Sequence, residues 1–194
     1  PYTTLFRSVY WSGTGNLVAI AGEDSFYVLR YDRDAYLSYI DNGGELDDEG
    51  VEEAFELEAD ISDVVQTGNW IGDCFVYTTA ANRLNYLVGG QTHTITHFDS
   101  CVVLLLRAVL TEADASTDRQ MYLLGYLPSH NRIYLCDKDV NFFAFSLSLS
   151  VIEYQTAVLR GDLDSAAEIL PSVPSEQRNR IARFLETQGS FGSH

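Results

Sequence analysis

The stretch SGTGNLVAIAGEDSFYVLRYD, residues 12–32, decides the fold class of this chain. It reads as a turn, a strand, a tight turn and a second strand, and both strands are rich in Val, Ile, Phe and Tyr. The segment GNWIGDCFVYTTAANRLNYLVGGQTHTITHFD, residues 68–99, repeats this order of turns and strands. The two segments are loose copies of one hairpin unit, as in a β-propeller blade, although their identity is too low to establish a repeat by itself.

Short strand-like runs separated by turn residues continue to about Ser146. These runs are about five residues long and recur roughly every ten residues, which is typical of an antiparallel sandwich, barrel or propeller. The predicted strands are 8–12, 16–22, 25–31, 74–79, 83–89, 92–98, 121–127, 132–137 and 140–146.

After Ser146 the apolar pattern changes from a strand period to a helical one. Gly161 and Gly189 are expected to stop the first and third helices, Asp162 to cap the second, and Pro171 to end it. The predicted apolar stripes are Val151, Tyr154 and Val158; Leu163, Ala166, Ala167 and Leu170; and Ile181, Phe184, Leu185 and Gln188. Three short helices with short turns fit either the start of an α-solenoid or a cap that closes the β domain.

The chain is strongly acidic, with a formal net charge of −16 over 194 residues. This charge disfavours nucleic acid and an anionic membrane surface as direct partners. Between Asp41 and Asp63 there are eleven carboxylates and no Lys or Arg. We expect a solvated, mobile loop there, and the alternative is a docking patch for a basic partner.

The cysteines indicate a reducing compartment. The number of cysteines is odd, and the three residues are far apart in sequence and form no C-x-x-C motif: Cys74, Cys101 and Cys136. This pattern argues against a disulfide scaffold. The longest apolar run, residues 101–110, is about half the length that spans a bilayer, and Arg107 interrupts it. The sequence therefore predicts a soluble, cytosolic protein.

No pattern predicts a catalytic residue, a cofactor site or a metal site. Gly13 and Gly15 lack the third glycine of a dinucleotide fingerprint, and no Gly-Lys-Ser/Thr follows them. His93 and His97 are four apart, which on a regular strand places both on one face, but only Asp99 is near enough in sequence to be a third ligand.

The other polar candidates have simpler structural interpretations. Asp73 is expected to bond turn amides rather than to act as a catalytic carboxylate, and His130 is expected on the surface of a turn. The basic cluster Arg178, Arg180 and Arg183 is expected on the solvated face of the last helix or against an acidic neighbour. Trp11 and Trp70 occupy matching places in the two hairpin copies, so both are predicted to be core residues.

Five strings, in order along the chain, resemble the family of coatomer β′ subunits. They are GDCFVYT (72–78), NRLNYLVGG (82–90), MYLLGYLP (121–128), VIEYQTAVLRGD (151–162) and ILPSVPSEQRNRIARFLETQG (169–189). The coatomer α subunits share the architecture, but these strings are more similar to the β′ family. The resemblance runs from about Ser8 to Gly189 with one break.

The resemblance implies an α+β chain within a large scaffold of two propellers and a long α-solenoid. Residues 9–146 would be the later blades of the second, WD40-type propeller, and residues 147–194 the first solenoid helices. The implied role is structural, without catalysis or a cofactor, in the COPI coat for Golgi-to-endoplasmic-reticulum and intra-Golgi transport. The implied location is cytoplasmic and peripheral on Golgi membranes and COPI vesicles.

The implied partners are the other coatomer subunits, above all the α subunit through the solenoid. Recognition of cargo tails belongs in this family to the more N-terminal propeller, so no cargo-binding residue is transferred to this chain.

Two segments depart from the family pattern. Residues 100–118 interrupt it between two blade strands, which predicts an insert, either a retained intron or a lineage-specific loop. Residues 1–8, PYTTLFRS, can be encoded by the end of a common sequencing-library adapter, so we expect a translated artefact, with a native strand as the alternative.

Two other functions remain open from the sequence. One is a cytosolic propeller-type adaptor that binds a basic peptide through the Asp41–Asp63 stretch. The other is a small hydrolase that uses Asp73 with His93 or His97.

Overall fold

The structure is a computed structural model, and it describes residues 6–44, 50–98, 120–159 and 161–191. The chain divides into two compact units. The first comprises the residues up to 124 together with 135–143, and the second comprises 125–134 together with the residues from 144 onward.

The first unit is built from antiparallel sheets whose strands follow one another in sequence. The first sheet has the order β1-β2-β3-β4 and the second has the order β5-β6-β7-β8. Their strands are Ser8–Trp11, Leu17–Ala21, Phe26–Tyr31 and Phe55–Ile61 (β1–β4), and Val65–Ile71, Cys74–Thr79, Arg83–Val88 and Gln91–His97 (β5–β8).

A third sheet has three strands among the residues that the structure describes, in the order β11-β10-β9. They are Met121–Leu127 (β9), Arg132–Asp137 (β10) and Phe142–Ser146 (β11). All nine strands predicted from the sequence are therefore present, with ends that differ by at most two residues.

Two strands, β4 and β5, were missed by the sequence interpretation. β4 lies inside the acidic stretch, where a mobile loop was expected. It forms a strand because its carboxylates alternate with apolar residues and it pairs with β3. The helix α1, Arg33–Asp41, precedes it, and the Asp32 carboxylate caps this helix by accepting from the Asp34 and Ala35 amides. For residues 55–61 of this stretch, the loop prediction is wrong.

The second unit contains three helices in the described residues: Leu149–Leu159 (α2), Leu163–Ile169 (α3) and Arg178–Phe191 (α4). Gly161 has a positive φ of 75°, and its N–H donates to the Val158 carbonyl at 3.0 Å, as in a helix C-terminal cap. Asp162 caps α3 by accepting from the Ser165 N–H at 3.1 Å, as predicted. The expected stop at Gly189 is wrong, because α4 continues to Phe191.

The apolar stripes of the helices were predicted only in part. Val151, Tyr154, Ala166 and Ile181 are buried in one core that also includes Val173 and Ala157. Phe184 is buried as well. Leu163, Leu170 and Leu185 are exposed instead. The side chain of Gln188 lies outside the described part of α4.

Candidate functional site

Phe75 is the centre of the apolar interface between the first and second sheets. Its side chain is fully buried, and its ring lies 5.1–5.6 Å from the ring centroids of Tyr10, Phe26, Trp70 and Tyr77. A Cβ at Gly68 would overlap the Phe75 ring, so the glycine is what lets this ring lie against β5. Small side chains of β2, such as Ala19 and Ala21, complete the interface from the first sheet.

Two hydrogen bonds connect the first strands of successive sheets. The Trp70 indole N–H donates to the Tyr10 carbonyl at 2.8 Å, which joins β5 to β1. The Leu123 N–H donates to the Thr67 hydroxyl at 2.9 Å, which joins β9 to β5. The register of β5 and β6 shifts between Val65 and Thr67, and Thr67 follows this bulge. The first strands of the three sheets therefore lie beside one another in chain order.

A buried polar network fixes the connection between β4 and β5. Asp63 accepts from the Tyr77 hydroxyl at 2.8 Å and from the Asn85 side-chain amide at 3.2 Å. The Tyr77 oxygen also lies 3.3 Å from the Thr92 hydroxyl. Burial raises the pKa of Tyr77 above its ordinary value, and the Asp63 carboxylate adds to the rise. From the sequence, Asp63 was expected in a solvated loop, because no local pattern indicates its hydrogen bond with Tyr77.

The outer face of the first sheet, opposite Phe75, is apolar and is exposed on its two outer strands, whereas Val18 in its centre is buried. Trp11 pairs with Val18, Val18 with Leu29, and Leu29 with Leu57, so the four side chains form a row on one face. Trp11 is 52% exposed and Leu57 is 57% exposed. We call this row, with Val9 and Phe55, the open face.

The two tryptophans differ in their surroundings, although they were predicted to be equivalent. Trp70 packs against the core between the sheets, as expected. Trp11 lies on the open face, and its neighbour Tyr10 takes the place on the core side. The prediction for Trp11 is wrong because adjacent residues of a strand point to opposite faces, and the alignment of two loose copies was off by one position.

His93 and His97 lie on opposite faces of β8. His93 pairs with Tyr86 and His97 pairs with Arg83, and the register shifts between Leu84 and Asn85. This bulge reverses the alternation, so the expectation of one shared face is wrong. His93 stacks on Tyr86 with ring centroids 5.0 Å apart, whereas His97 is exposed. Asp99 lies outside the described residues.

Asp73 lies at the opposite end of β8 from His97. It lies in the turn between β5 and β6 and lines a small cleft with Glu58, Gly89 and Gly90. His97 is at the far end of β8, about 20 Å along a strand of seven residues. The described residues contain no group of three or more His, Cys, Asp or Glu that could hold a metal ion. The distance between Asp73 and His97 does not favour a hydrolase site built from this pair.

The acidic stretch is partly engaged within the first unit. Glu58 forms an ion pair with Arg30, and Asp63 belongs to the Tyr77 network. Glu52 and Glu53 are exposed in a short 3₁₀ turn before β4. Residues 45–49 lie outside the described part of the chain.

The remaining candidates are surface or structural groups. His130 is exposed in a turn, and its Nδ1 lies 3.0 Å from the Ser129 hydroxyl. Arg178 and Arg183 are exposed on α4, as expected, while the side chain of Arg180 is outside the described set. Cys74 is buried, which raises the pKa of its thiol, and Cys136 is half-buried; neither forms a disulfide. Cys101 lies outside the described residues.

The helices that the structure describes include none long and apolar enough to cross a bilayer.

Two family models match the chain. The COPA/B second beta-propeller matches residues 4–112, and the COPA/B TPR domain matches residues 154–193. The boundary between the two matches agrees with the change from sheets to helices in the structure.

Full-length relatives are similar over nearly the whole chain. It is 46% identical over 183 residues to coatomer subunit beta'-2 of Oryza sativa subsp. japonica, which covers 94% of this chain and 18% of the relative. Coatomer subunit beta' of Homo sapiens is 45% identical with the same coverage. The probable coatomer subunit beta' of Caenorhabditis elegans is 46% identical, and 16% of its length is covered. The chain therefore spans less than a fifth of the relatives it matches.

Proposed function

The chain belongs to the COPA/B family of coatomer subunits, and on this premise we propose that it is part of a β′ subunit that acts as a structural scaffold of the COPI vesicle coat. The role is protein–protein assembly in Golgi-to-endoplasmic-reticulum and intra-Golgi transport, without catalysis.

The observation that supports the proposal best is the open face of the first sheet. One face of this sheet packs on the second sheet through Phe75, while the other exposes Trp11 and Leu57, the two ends of the row. A propeller is a ring of such sheets, in which every blade has both faces covered by neighbours. We assign residues 9–146 to the late blades of the second propeller, and an earlier blade of the longer protein covers the open face.

The second unit supports a solenoid start rather than a closed cap. Leu163 of α3, Leu170 directly after α3 and Leu185 of α4 are exposed, although other side chains of both helices are buried. Helical repeats bury such outer faces against the next repeat. We assign residues 147–194 to the first helices of this solenoid, which is also the expected contact region for the α subunit.

This assignment places the protein in the cytoplasm and, through the coat, on Golgi membranes and COPI vesicles. Cargo tails would bind the more N-terminal propeller of the longer protein. The predicted insert 100–118 and the predicted artefact 1–8 remain proposals about the transcript. Sequencing of spliced RNA tests both, because an intron and an adapter are missing from mature native messages.

The experiment is purification of the tagged full-length protein from its own cells. We expect the other coatomer subunits to be recovered with it in near-equal amounts, and a stable full-length protein without them would refute the coat assignment. In the adaptor alternative, the variant Glu52→Gln with Glu53→Gln would lose a basic peptide ligand, whereas coat recovery would not change.

A substitution on the open face tests whether a neighbouring propeller blade covers this face. Leu57→Asp places a charge where an apolar blade interface is proposed, and an unpaired buried charge is strongly destabilising. We expect less soluble full-length protein for this variant and no change for Leu37→Asp, which lies on the exposed surface of α1. Equal yields of the two variants would contradict a covering blade.

A further inference from the structure

The connection between the third sheet and the helices is very short. β11 ends at Ser146 and α2 begins at Leu149, so Leu147 and Ser148 alone lie between them. The Ser148 carbonyl already accepts from the Val151 N–H at 3.2 Å, at the start of the helix. Whatever holds Leu147 therefore determines the direction in which α2 starts.

Both backbone groups of Leu147 are held by the tip of the β9–β10 hairpin. This hairpin tip, residues 125–134, belongs to the same compact unit as the helices. The Leu147 N–H donates to the Asn131 carbonyl at 2.9 Å, and the Leu147 carbonyl accepts from the Tyr126 hydroxyl at 3.3 Å. The Leu147 side chain is buried. The residue is thus fixed by its N–H, its carbonyl and its side chain.

Tyr126 and Asn131 are also bonded to each other. The Tyr126 hydroxyl lies 3.0 Å from Asn131 Oδ1, and it shares its one proton between this oxygen and the Leu147 carbonyl. Asn131 has a left-handed backbone, with φ 51° and ψ 45°, which Asn adopts more readily than most residues. Its N–H donates to the Pro128 carbonyl at 3.2 Å. We call Tyr126, Asn131 and Leu147 the clamp.

The surroundings of Tyr126 keep its hydroxyl protonated. Burial raises the pKa of this hydroxyl, and the Glu153 carboxylate of α2 adds to the rise. The proton is required, because the Leu147 carbonyl and Asn131 Oδ1 can only accept hydrogen bonds.

The start of α2 is bonded in turn to the later helices. The Ser150 hydroxyl donates to the Ser172 carbonyl, after α3, at 3.3 Å. Val151 shares a core with Ala166 of α3 and Ile181 of α4. A contact that fixes the start of α2 therefore fixes the three helices together.

We propose that the clamp is a rigid joint, which carries α2, α3 and α4 as one body on the hairpin tip. Without these bonds, the soft backbone dihedrals of Leu147 and Ser148 would make the connection a flexible linker. The joint goes beyond the scaffold role, since it concerns the geometry of this chain alone. In the proposed coat subunit it sets the direction in which the solenoid starts, and only this consequence rests on the proposed function.

Distances between two spin labels test the joint in the full-length protein. The labels are attached to noncanonical residues in place of Ser129, in the hairpin tip, and Ala182, on the exposed surface of α4. We expect one narrow distance distribution in the parent protein and a broader one in Tyr126→Phe, which lacks the donor. Insertion of Gly-Ser-Gly-Ser between Ser148 and Leu149 gives the reference width of uncoupled helices. An equally narrow distribution in Tyr126→Phe, or a parent distribution as broad as that of the insertion variant, overturns the proposal.

Tyr122→Phe is the matched control. Tyr122 lies on the same strand, β9, and its hydroxyl donates at 3.0 Å to the side chain of Gln120, an exposed residue directly before the strand. We expect this variant to keep the narrow distribution of the parent. Broadening equal to that in Tyr126→Phe would be a general effect of removing a hydroxyl from β9 and would contradict the joint.

Hydrogen exchange measures the clamp locally. Loss of one ordinary hydrogen bond corresponds to a change of about tenfold, so the Leu147 amide should exchange about tenfold faster in Tyr126→Phe. The β6 amides of the first unit should be unchanged, which shows that the variant is folded. Unchanged exchange at Leu147, or equal acceleration throughout β6, overturns the proposal.

The outcomes separate the joint from the proposed function. A broad parent distribution in a protein that copurifies with coatomer subunits refutes the joint alone. A narrow parent distribution that broadens in Tyr126→Phe, in a protein that recovers no coat subunit, refutes the coat function alone.

Discussion

Replacement of Phe75 by alanine should open the interface between the first and second sheets. The ring is fully buried and contacts four aromatic rings, and truncation of a buried Phe costs about 3–5 kcal/mol. Aromatic pairs add about 0.5–1.5 kcal/mol each beyond burial, and Gly68 offers no side chain to fill the cavity. We therefore expect a loss of about 5 kcal/mol, at the upper end of that range.

Hydrogen exchange of the β6 amides in the full-length protein measures this loss locally. A loss of about 5 kcal/mol accelerates exchange through opening by between three and four orders of magnitude, since about 1.4 kcal/mol is tenfold. The control Leu37→Ala, on the exposed surface of α1, should change stability by less than about 0.5 kcal/mol. An acceleration of less than about tenfold for Phe75→Ala would refute the idea that this ring holds the two sheets together.

Three further predictions use matched or single substitutions. Gly68→Ala should destabilise the β5–β6 region because its methyl group would overlap the Phe75 ring, whereas Gly13→Ala, with open space around it, should be tolerated in the same exchange assay. Tyr77→Phe should cost about 1–2 kcal/mol because it removes the donor to Asp63, and unchanged exchange would contradict a role for this network. The Asp162 carboxylate accepts from Ser165, which lowers its pKa in the folded state. The stabilisation of α3 by Asp162 should therefore be present above the unfolded pKa and be lost as the pH falls through the folded one; an NMR titration that gives Asp162 an ordinary or raised pKa would contradict this.

The sequence was sufficient for the elements whose pattern is local. Alternation and turn residues identified nine strands, and the change of period after Ser146 separated sheets from helices. The helix caps at Gly161 and Asp162 could also be predicted from the sequence, because each depends on one residue and its neighbours within the turn. The strings that resemble coatomer β′ subunits led to the family that the models and the relatives show.

The errors arose where distant residues or a single bulge decide the outcome. β4 was hidden by its carboxylates, since pairing with β3 overrides its high charge. His93 and His97 were expected on one face of β8, but one extra residue in this strand places them on opposite faces. No local sequence pattern indicates this bulge. Trp11 was assigned to the core, although its position on the strand places it on the open face.

The sequence by itself determined the type, order and approximate ends of most elements and the absence of a recognisable catalytic pattern, because turn chemistry and apolar period act over a few residues. Only the tertiary structure decided which faces are buried and which carboxylates are engaged. These properties depend on the register between strands far apart in sequence, and a shift of one residue reverses every side chain that follows.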